Sequence, residues 1–176
     1  MIQSESNVQI KELIKLQKNA RERKKKKLFV AEGMKLTKEA AFHGKLKKIY
    51  IAQDVYEHRE RELDDFLAKQ DYEVVDTKIF RQAAQTVTPQ GMLALVEVPE
   101  YSVDTLLCDP KRSFLLLDDL RDPGNLGTIM RTAEGAGMSG VILSRESVDL
   151  FNPKVVRATM GAIFRVPFLY VESLPE

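Results

Sequence analysis

Apolar positions in this chain fall into short runs and helical faces that alternate from end to end. Ile10, Leu13 and Ile14 mark one face of a first helix that Ser6 or Asn7 can cap and that runs to about residue 20. Leu28-Phe29-Val30-Ala31 then predicts a strand, Glu32-Gly33 a turn, and 34–42 a helix closed by Gly44. A second strand is expected over 47–52, and a helix over 59–69 with Leu63, Phe66 and Leu67 on one face. A strand over 72–75, a short helix over 77–84, a turn at Thr88-Pro89-Gln90-Gly91 and a strand over 92–98 follow. This β-α-β-α-β-α-β alternation predicts a small α/β domain over 28–98 behind an N-terminal arm, 1–27. Residues 99–112, with two prolines and mixed polarity, read as a linker with one helical turn at 104–107.

The second half, 113–176, begins with a run fit for a strand buried on both faces, Phe114 to Leu117. Asp118 to Gly124 is turn chemistry, and 125–137 then carries a helix period: Leu126, Ile129, Met130, Ala133 and Gly137 share one face. In open α/β sheets, the crevice beyond the carboxyl ends of the strands is where ligands bind. On the opposite face, Gly127, Arg131 and Gly135 fall at i, i+4 and i+8. Two glycines inside a helix are unfavourable by about 1 kcal/mol each relative to Ala, so another backbone or a ligand is expected close by. Arg131 between them is either a solvated cation beside a packing groove or a site residue. A strand over 141–143, a helix opened by Asn152-Pro153 and ended by Gly161, and a last strand over 164–170 complete the pattern. Gly135-Ala136-Gly137-Met138-Ser139-Gly140 matches G-x-G-x-x-G but closes a helix and opens a strand, the reverse of the dinucleotide fingerprint. It reads as a helix C-cap.

Composition narrows the class. No apolar run approaches the ~20 residues of a membrane span, and the N-terminus lacks an apolar signal core, which fits a cytoplasmic location. One cysteine, Cys108, excludes an internal disulfide, and two separated histidines, His43 and His58, leave no metal site to expect. Net charge is +1, yet residues 1–48 hold 14 Lys+Arg against 5 Asp+Glu and the remainder 13 against 21. A basic end on a nearly neutral chain points to a polyanion partner. Its densest part, Arg21 to Lys27, is either a solvated loop or frayed helix end, or a set of phosphate contacts.

Asp119-Leu120-Arg121-Asp122-Pro123-Gly124-Asn125-Leu126-Gly127-Thr128-Ile129-Met130-Arg131-Thr132-Ala133 resembles the first motif of the SpoU (TrmH-like) branch of the SPOUT superfamily, RNA ribose 2′-O-methyltransferases. Asn152-Pro153-Lys154-Val155-Val156-Arg157-Ala158-Thr159-Met160-Gly161-Ala162 is similar to its second motif. Phe29 to Gly33 and Thr88 to Ala94 look like the family's ribosomal-protein-like substrate-binding domain. The resemblance implies an α/β methyltransferase domain with a trefoil knot, S-adenosylmethionine as methyl donor, homodimers, and rRNA or tRNA as partner, with no membrane and no metal. The family's third motif, which makes most of the cofactor pocket, has no match before Glu176. The methyltransferase domain is therefore expected to be incomplete, with cofactor-binding residues beyond Glu176 and weak cofactor binding by the chain as written.

The implied reaction moves a methyl group from the sulfonium to a ribose 2′-oxygen. The motif arginine maps onto Arg131 and the motif asparagine onto Asn125. A guanidinium is a poor base, so Arg131 is expected to stabilise the emerging oxyanion and hold the neighbouring phosphate. Asn125 would orient Arg131 or the ribose, or else be a plain N-cap. Lys154 and Arg157 are either phosphate contacts or ordinary exposed cations, and Glu134 a surface or interface residue. Lys24, Lys25, Lys26, Lys27, Lys45, Lys47 and Lys48 are the candidate RNA track. Against the methyltransferase stands a non-catalytic RNA-binding module, which the basic arm and the 28–98 domain would suffice for. A nucleotide enzyme using the 125 helix N-terminus as an anion site ranks below both, since no P-loop Lys-Ser/Thr pair follows the glycines.

Overall fold

The computed structural model describes residues 1–109 and 111–172. The chain divides into two compact units, Met1–Val98 and Pro99–Glu176. In the first, α1 (Val8–Lys18) is capped by the Asn7 side chain, which accepts from the Gln9 N–H. The charge run that follows is no loose end. It is a helix, α2 (Ala20–Lys26), capped by Asn19. The reason is Arg23, buried so that its guanidinium donates to the Leu16 and Gln17 carbonyls at 2.6 and 3.1 Å and satisfies the end of α1.

Four strands form a mixed sheet: β1 (Leu28–Glu32), β2 (Leu46–Ala52), β3 (Tyr72–Val75) and β4 (Met92–Glu97), in the order β1-β4-β2-β3. β4 runs antiparallel to both neighbours and β2 parallel to β3. Between them lie α3 (Met34–Phe42), α4 (Gln53–Glu57), α5 (Arg61–Leu67) and α6 (Thr77–Ala83). The expected helix over 59–69 is thus shorter, and a separate turn of helix precedes it. One core cluster joins Ile10, Leu13 and Leu16 of α1 to Val30, Tyr50 and Leu93 of the sheet and Ile79 and Phe80 of α6. A second joins Ile49, Ile51 and Met92 to Leu67, with Leu63 and Phe66 against it. Ile2 adds a bridge to Val75 at the β3 edge.

The second unit carries α7 (Val103–Leu107) and a parallel sheet in the order β5-β6-β7: β5 (Phe114–Leu117), β6 (Gly140–Ser144) and β7 (Phe168–Val171). α8 (Pro123–Gly135) crosses from β5 to β6, and α9 (Pro153–Ala158) with a 3-10 turn (Ala162–Phe164) crosses from β6 to β7. The apolar stretch from 164 therefore does not start a strand. Gly161, at φ 100°, turns the chain into the 3-10 segment first. Gly137 adopts φ 68° past the end of α8, and Met138 N–H reaches the Ala133 carbonyl, so the G-x-G-x-x-G stretch is a C-cap.

Candidate functional site

The carboxyl ends of β5 and β6 are tied together by two serines. Ser144 Oγ accepts from Asp119 N–H at 2.8 Å, and Ser147 Oγ accepts from Leu120 N–H at 3.2 Å. Both serines are buried, and Val148 N–H adds a bond to the Leu120 carbonyl. This fixes the loop in which Asp119 takes φ 44°, a left-handed conformation that Asp tolerates better than most residues. Arg121 closes on Asp119 with two bonds, 2.7 and 2.9 Å. Sequence reasoning missed Ser144 and Ser147, because two serines near a strand end carry no periodic signal.

α8 starts at Pro123, two residues earlier than the apolar period alone suggests. Its N-cap is Asp122, whose carboxylate accepts from Asn125 N–H at 2.6 Å. Asn125 is therefore not the cap; the Asp-Pro pair takes that place, with proline at the first helical position. Its side chain is exposed. Six helical residues separate it from Arg131, a rotation of about 120° around the axis, so the two side chains leave α8 in different directions.

Gly127 has a definite cause. A Cβ built there would lie 2.2 Å from Ala158 Cβ and 2.9 Å from the Ala158 carbonyl carbon, so the backbones of α8 and α9 meet at this point. The close approach joins the two motif-bearing helices. Gly135 differs: among the described residues nothing lies within 4 Å of its built Cβ. Arg131, one turn after Gly127, is exposed and makes no hydrogen bond or ion pair among the described residues.

Other candidates are placed less uniformly. Lys154 is exposed, with only its backbone N–H engaged, by Asn152. Arg157 is half-buried and already engaged, so it is not an ordinary exposed cation. Glu134 pairs with Arg165. In the first unit, Val98 N–H donates to the Lys27 carbonyl and Glu97 N–H to that of Lys45, which brings the end of α2 and the start of β2 to one end of the sheet. There Lys26 pairs with Glu12 and Lys47 with Glu97, and the Lys47 ammonium holds the Glu97 carboxyl below the usual range. Lys48 approaches Asp71 and Glu73 at 3.7 and 3.9 Å. Lys24, Lys25 and Lys45 make no ion pair among the described residues. Among the described residues no group of His, Cys, Asp and Glu is arranged for a metal, and no helix is long and apolar enough to cross a membrane.

Two sequence profiles match this chain. The MRM3-like substrate binding domain covers residues 7–94, and the SpoU rRNA Methylase family covers 112–176. The 23S rRNA (guanosine(2553)-2′-O)-methyltransferase RlmP of Bacillus subtilis (strain 168) is 33% identical over 181 aligned residues, spanning 98% of this chain and 68% of that one. The chain belongs to the SpoU rRNA methylase family. The mitochondrial rRNA methyltransferase 3 of Homo sapiens is 35% identical over 158 residues, with 84% of this chain and 36% of that protein aligned. The AdoMet-bound rRNA methyltransferase from Sinorhizobium meliloti superposes with a TM-score of 0.81 at 31% identity, over 96% of this chain and 63% of that one. The mixed α/β architecture is thus that of known SPOUT methyltransferases, and the chain spans from about a third to two thirds of these relatives' lengths.

The family's donor is S-adenosylmethionine. The described polar groups at the strand ends do not fit it by themselves. Ser144 and Ser147 are occupied by the Asp119 and Leu120 amides, and Arg145 by Glu172. The Tyr170 hydroxyl accepts from Leu150 N–H and donates to the Val148 carbonyl. The two serine hydroxyls and the Tyr170 hydroxyl are thus already used within the unit.

Proposed function

We propose that this chain acts in ribose 2′-O-methylation of ribosomal RNA. The first unit would hold the RNA and the exposed face of α8 would present Arg131 to the ribose. The observation that carries the reading is Arg131 itself: a cation whose side chain has no partner among the described residues, on a helix fixed in place by the Gly127–Ala158 contact. A ribose hydroxyl is a weak nucleophile until its proton leaves. A guanidinium aimed at the oxygen stabilises the developing negative charge and can hold the adjacent phosphate through two parallel bonds. Asn125, on a different face, would hydrogen-bond RNA rather than Arg131. Lys24, Lys25, Lys27 and Lys45 would contribute phosphate contacts, with Lys154 on α9 as a further one. The reading includes a homodimer acting on cytoplasmic RNA. Leu116, 61% exposed on the edge strand β5, supports association of two copies.

One observation favours a second reading, a non-catalytic RNA-binding module: the internally occupied polar groups at the strand ends. Mapping 2′-O-methyl riboses in rRNA from cells with and without the gene separates the two. The methyltransferase reading expects one ribose methylation to vanish on deletion. An unchanged map, with RNA binding retained, would leave the binding module instead.

A further inference from the structure

β2 and β3 run parallel, and beyond their carboxyl ends the first unit has a cleft of about 380 Å³. That volume lies within the roughly 300–1,000 Å³ of ligand pockets. Ala52, the last residue of β2, and Thr77, the first of α6, line it. So does the loop over 85–91, which is tied down at both ends. The Glu32 carboxylate accepts from Gln85 N–H at 3.0 Å and from the Thr86 hydroxyl. Gln90 Oε1 accepts from Met34 N–H at 3.4 Å, and Ala52 N–H donates to the Gly91 carbonyl at 2.9 Å. Gly91, at φ 74°, is pressed against Val55: a Cβ built there would lie 2.3 Å from Val55 Cγ2. Yet Val87, inside this fastened loop, is 99% exposed. Single exposed apolar side chains are common on protein surfaces and by themselves mean little. Val87 differs because its loop is held and because it lines the cleft together with Val55, Pro89 and the buried Phe80.

The same cleft holds charge and hydroxyls. Arg81 of α6 is exposed and makes no hydrogen bond or ion pair among the described residues. Thr77 Oγ accepts from Asp54 N–H at 3.2 Å, which leaves its own hydrogen to donate. The Thr88 hydroxyl has no partner among the described residues. Asp54 Oδ1 accepts from Val55 N–H at 2.9 Å, and Oδ2 has no partner among them. An aliphatic wall, a guanidinium and a carboxylate with an open oxygen suit one nucleotide. The base packs on the wall, and the guanidinium holds a phosphate through two parallel bonds. A carboxylate beside a phosphodiester is repelled unless the base offers it N–H groups. Guanine does this best. Its Watson–Crick edge carries two adjacent donors, N1–H and the N2 amino group, with O6 beside them to accept from a threonine hydroxyl. A paired guanine has that edge engaged by its partner, so only an unpaired one can enter.

We infer that this cleft takes one unpaired guanosine of the RNA, with the base against Val55, Val87 and Pro89, Asp54 on its N1–H and N2 edge, and Arg81 on its phosphate. The inference rests on the reading that RNA is the substrate and adds where the first unit grips it and by which nucleotide. It is tested by fluorescence anisotropy with the full chain and two labelled single strands of about 12 nucleotides. One is oligoadenylate and the other is the same strand with a single central guanosine. Wild type should bind the guanosine strand about tenfold more tightly, the discrimination of one two-bond base contact. Pairing that strand with its complement should abolish the gain. Asp54→Asn, which puts donors where an acceptor stood, should remove the preference without weakening oligoadenylate binding. Val87→Ala should weaken the guanosine strand about fourfold through lost apolar contact. Arg81→Ala should weaken binding of the guanosine strand and lower its salt slope by about 0.7 between roughly 50 and 200 mM. Val87 and Arg81 are exposed, so their variants should unfold at the wild-type temperature. Equal wild-type affinity for the two strands, as expected if the cleft instead takes a peptide, would overturn the inference. So would a guanosine preference that survives Asp54→Asn, or unchanged affinity in Val87→Ala. A deletion-sensitive methylation map combined with any of these results would remove the inference and leave the proposed function standing.

Discussion

Gly127→Ala tests how the two motif helices are held. In an unconstrained helix this change is favourable by about 1 kcal/mol, because alanine has the higher helix propensity. Here the added Cβ would sit 2.2 Å from Ala158 Cβ and about 3 Å from that residue's backbone. Carbon atoms pack at roughly 3.5–4.0 Å, so α8 and α9 would have to separate by more than 1 Å, and no rotamer of alanine avoids this. Overpacking of this kind is typically unfavourable by about 1–3 kcal/mol even where side chains can adjust, and here the obstacle is partly backbone. A net destabilisation of about 2 kcal/mol is expected. For a domain this small, that lowers the melting temperature by roughly 8–16 °C. Gly135→Ala is the matched control. With nothing near its built Cβ and no left-handed φ, it should be neutral or stabilising by up to about 1 kcal/mol. Thermal unfolding followed by circular dichroism reads both. Gly127→Ala melting at or above wild type, or Gly135→Ala falling as far as Gly127→Ala, would refute the close-approach argument.

Asp122→Ala removes the cap on α8 and should destabilise the second unit by about 1 kcal/mol in urea titrations, with Asp122→Ser recovering most of it. Arg23→Ala leaves the Leu16 and Gln17 carbonyls at the end of α1 without their buried donor, so a loss of about 1–3 kcal/mol is expected in the same assay. Burial pushes the Tyr50 phenol up to about 12 and raises Tyr170 as well. The folded state therefore retains protons that the unfolded chain would release above about pH 10. The stabilisation is complete below that pH and is lost as pH rises through the folded values. Absorbance at the tyrosinate band should show these two ionising only as the chain unfolds; ionisation of all five tyrosines at pH 11 with native circular dichroism would contradict it.

The strands were legible because each is a compact apolar run bounded by turn residues: 28–31, 72–75 and 114–117 are found within a residue of where the period places them. Two failures have physical causes. α4 is one turn of helix with none of its residues buried, too short to show a period. The apolar stretch from Ala162 to Phe168 has strand-like composition, but the left-handed Gly161 commits its first part to a 3-10 turn. At the candidate site, the spacing of Gly127, Arg131 and Gly135 raised the expectation of a close approach, which the fold shows at Gly127. It could not separate the two glycines, since only the fold puts Ala158 against Gly127 and open space beside Gly135. Asn125 looked like a cap because asparagine caps well, yet Asp122-Pro123 upstream was the stronger signal. The lysines of the basic arm were visible as charge. That several of them are paired required the fold.

The central claim is that Arg131 stands at the reacting ribose. The direct measurement is the rRNA 2′-O-methylation map of a deletion strain complemented with the gene carrying wild-type Arg131, Arg131→Lys or Arg131→Ala. Wild type should restore the lost methyl group. Arg131→Ala should lower the methylation rate about 10²- to 10³-fold, as removal of an oxyanion-stabilising donor does, while RNA affinity changes little. Arg131→Lys should recover only part of the rate, since an ammonium cannot make the bidentate phosphate contact. Full methylation by the Arg131→Ala protein would contradict the claim.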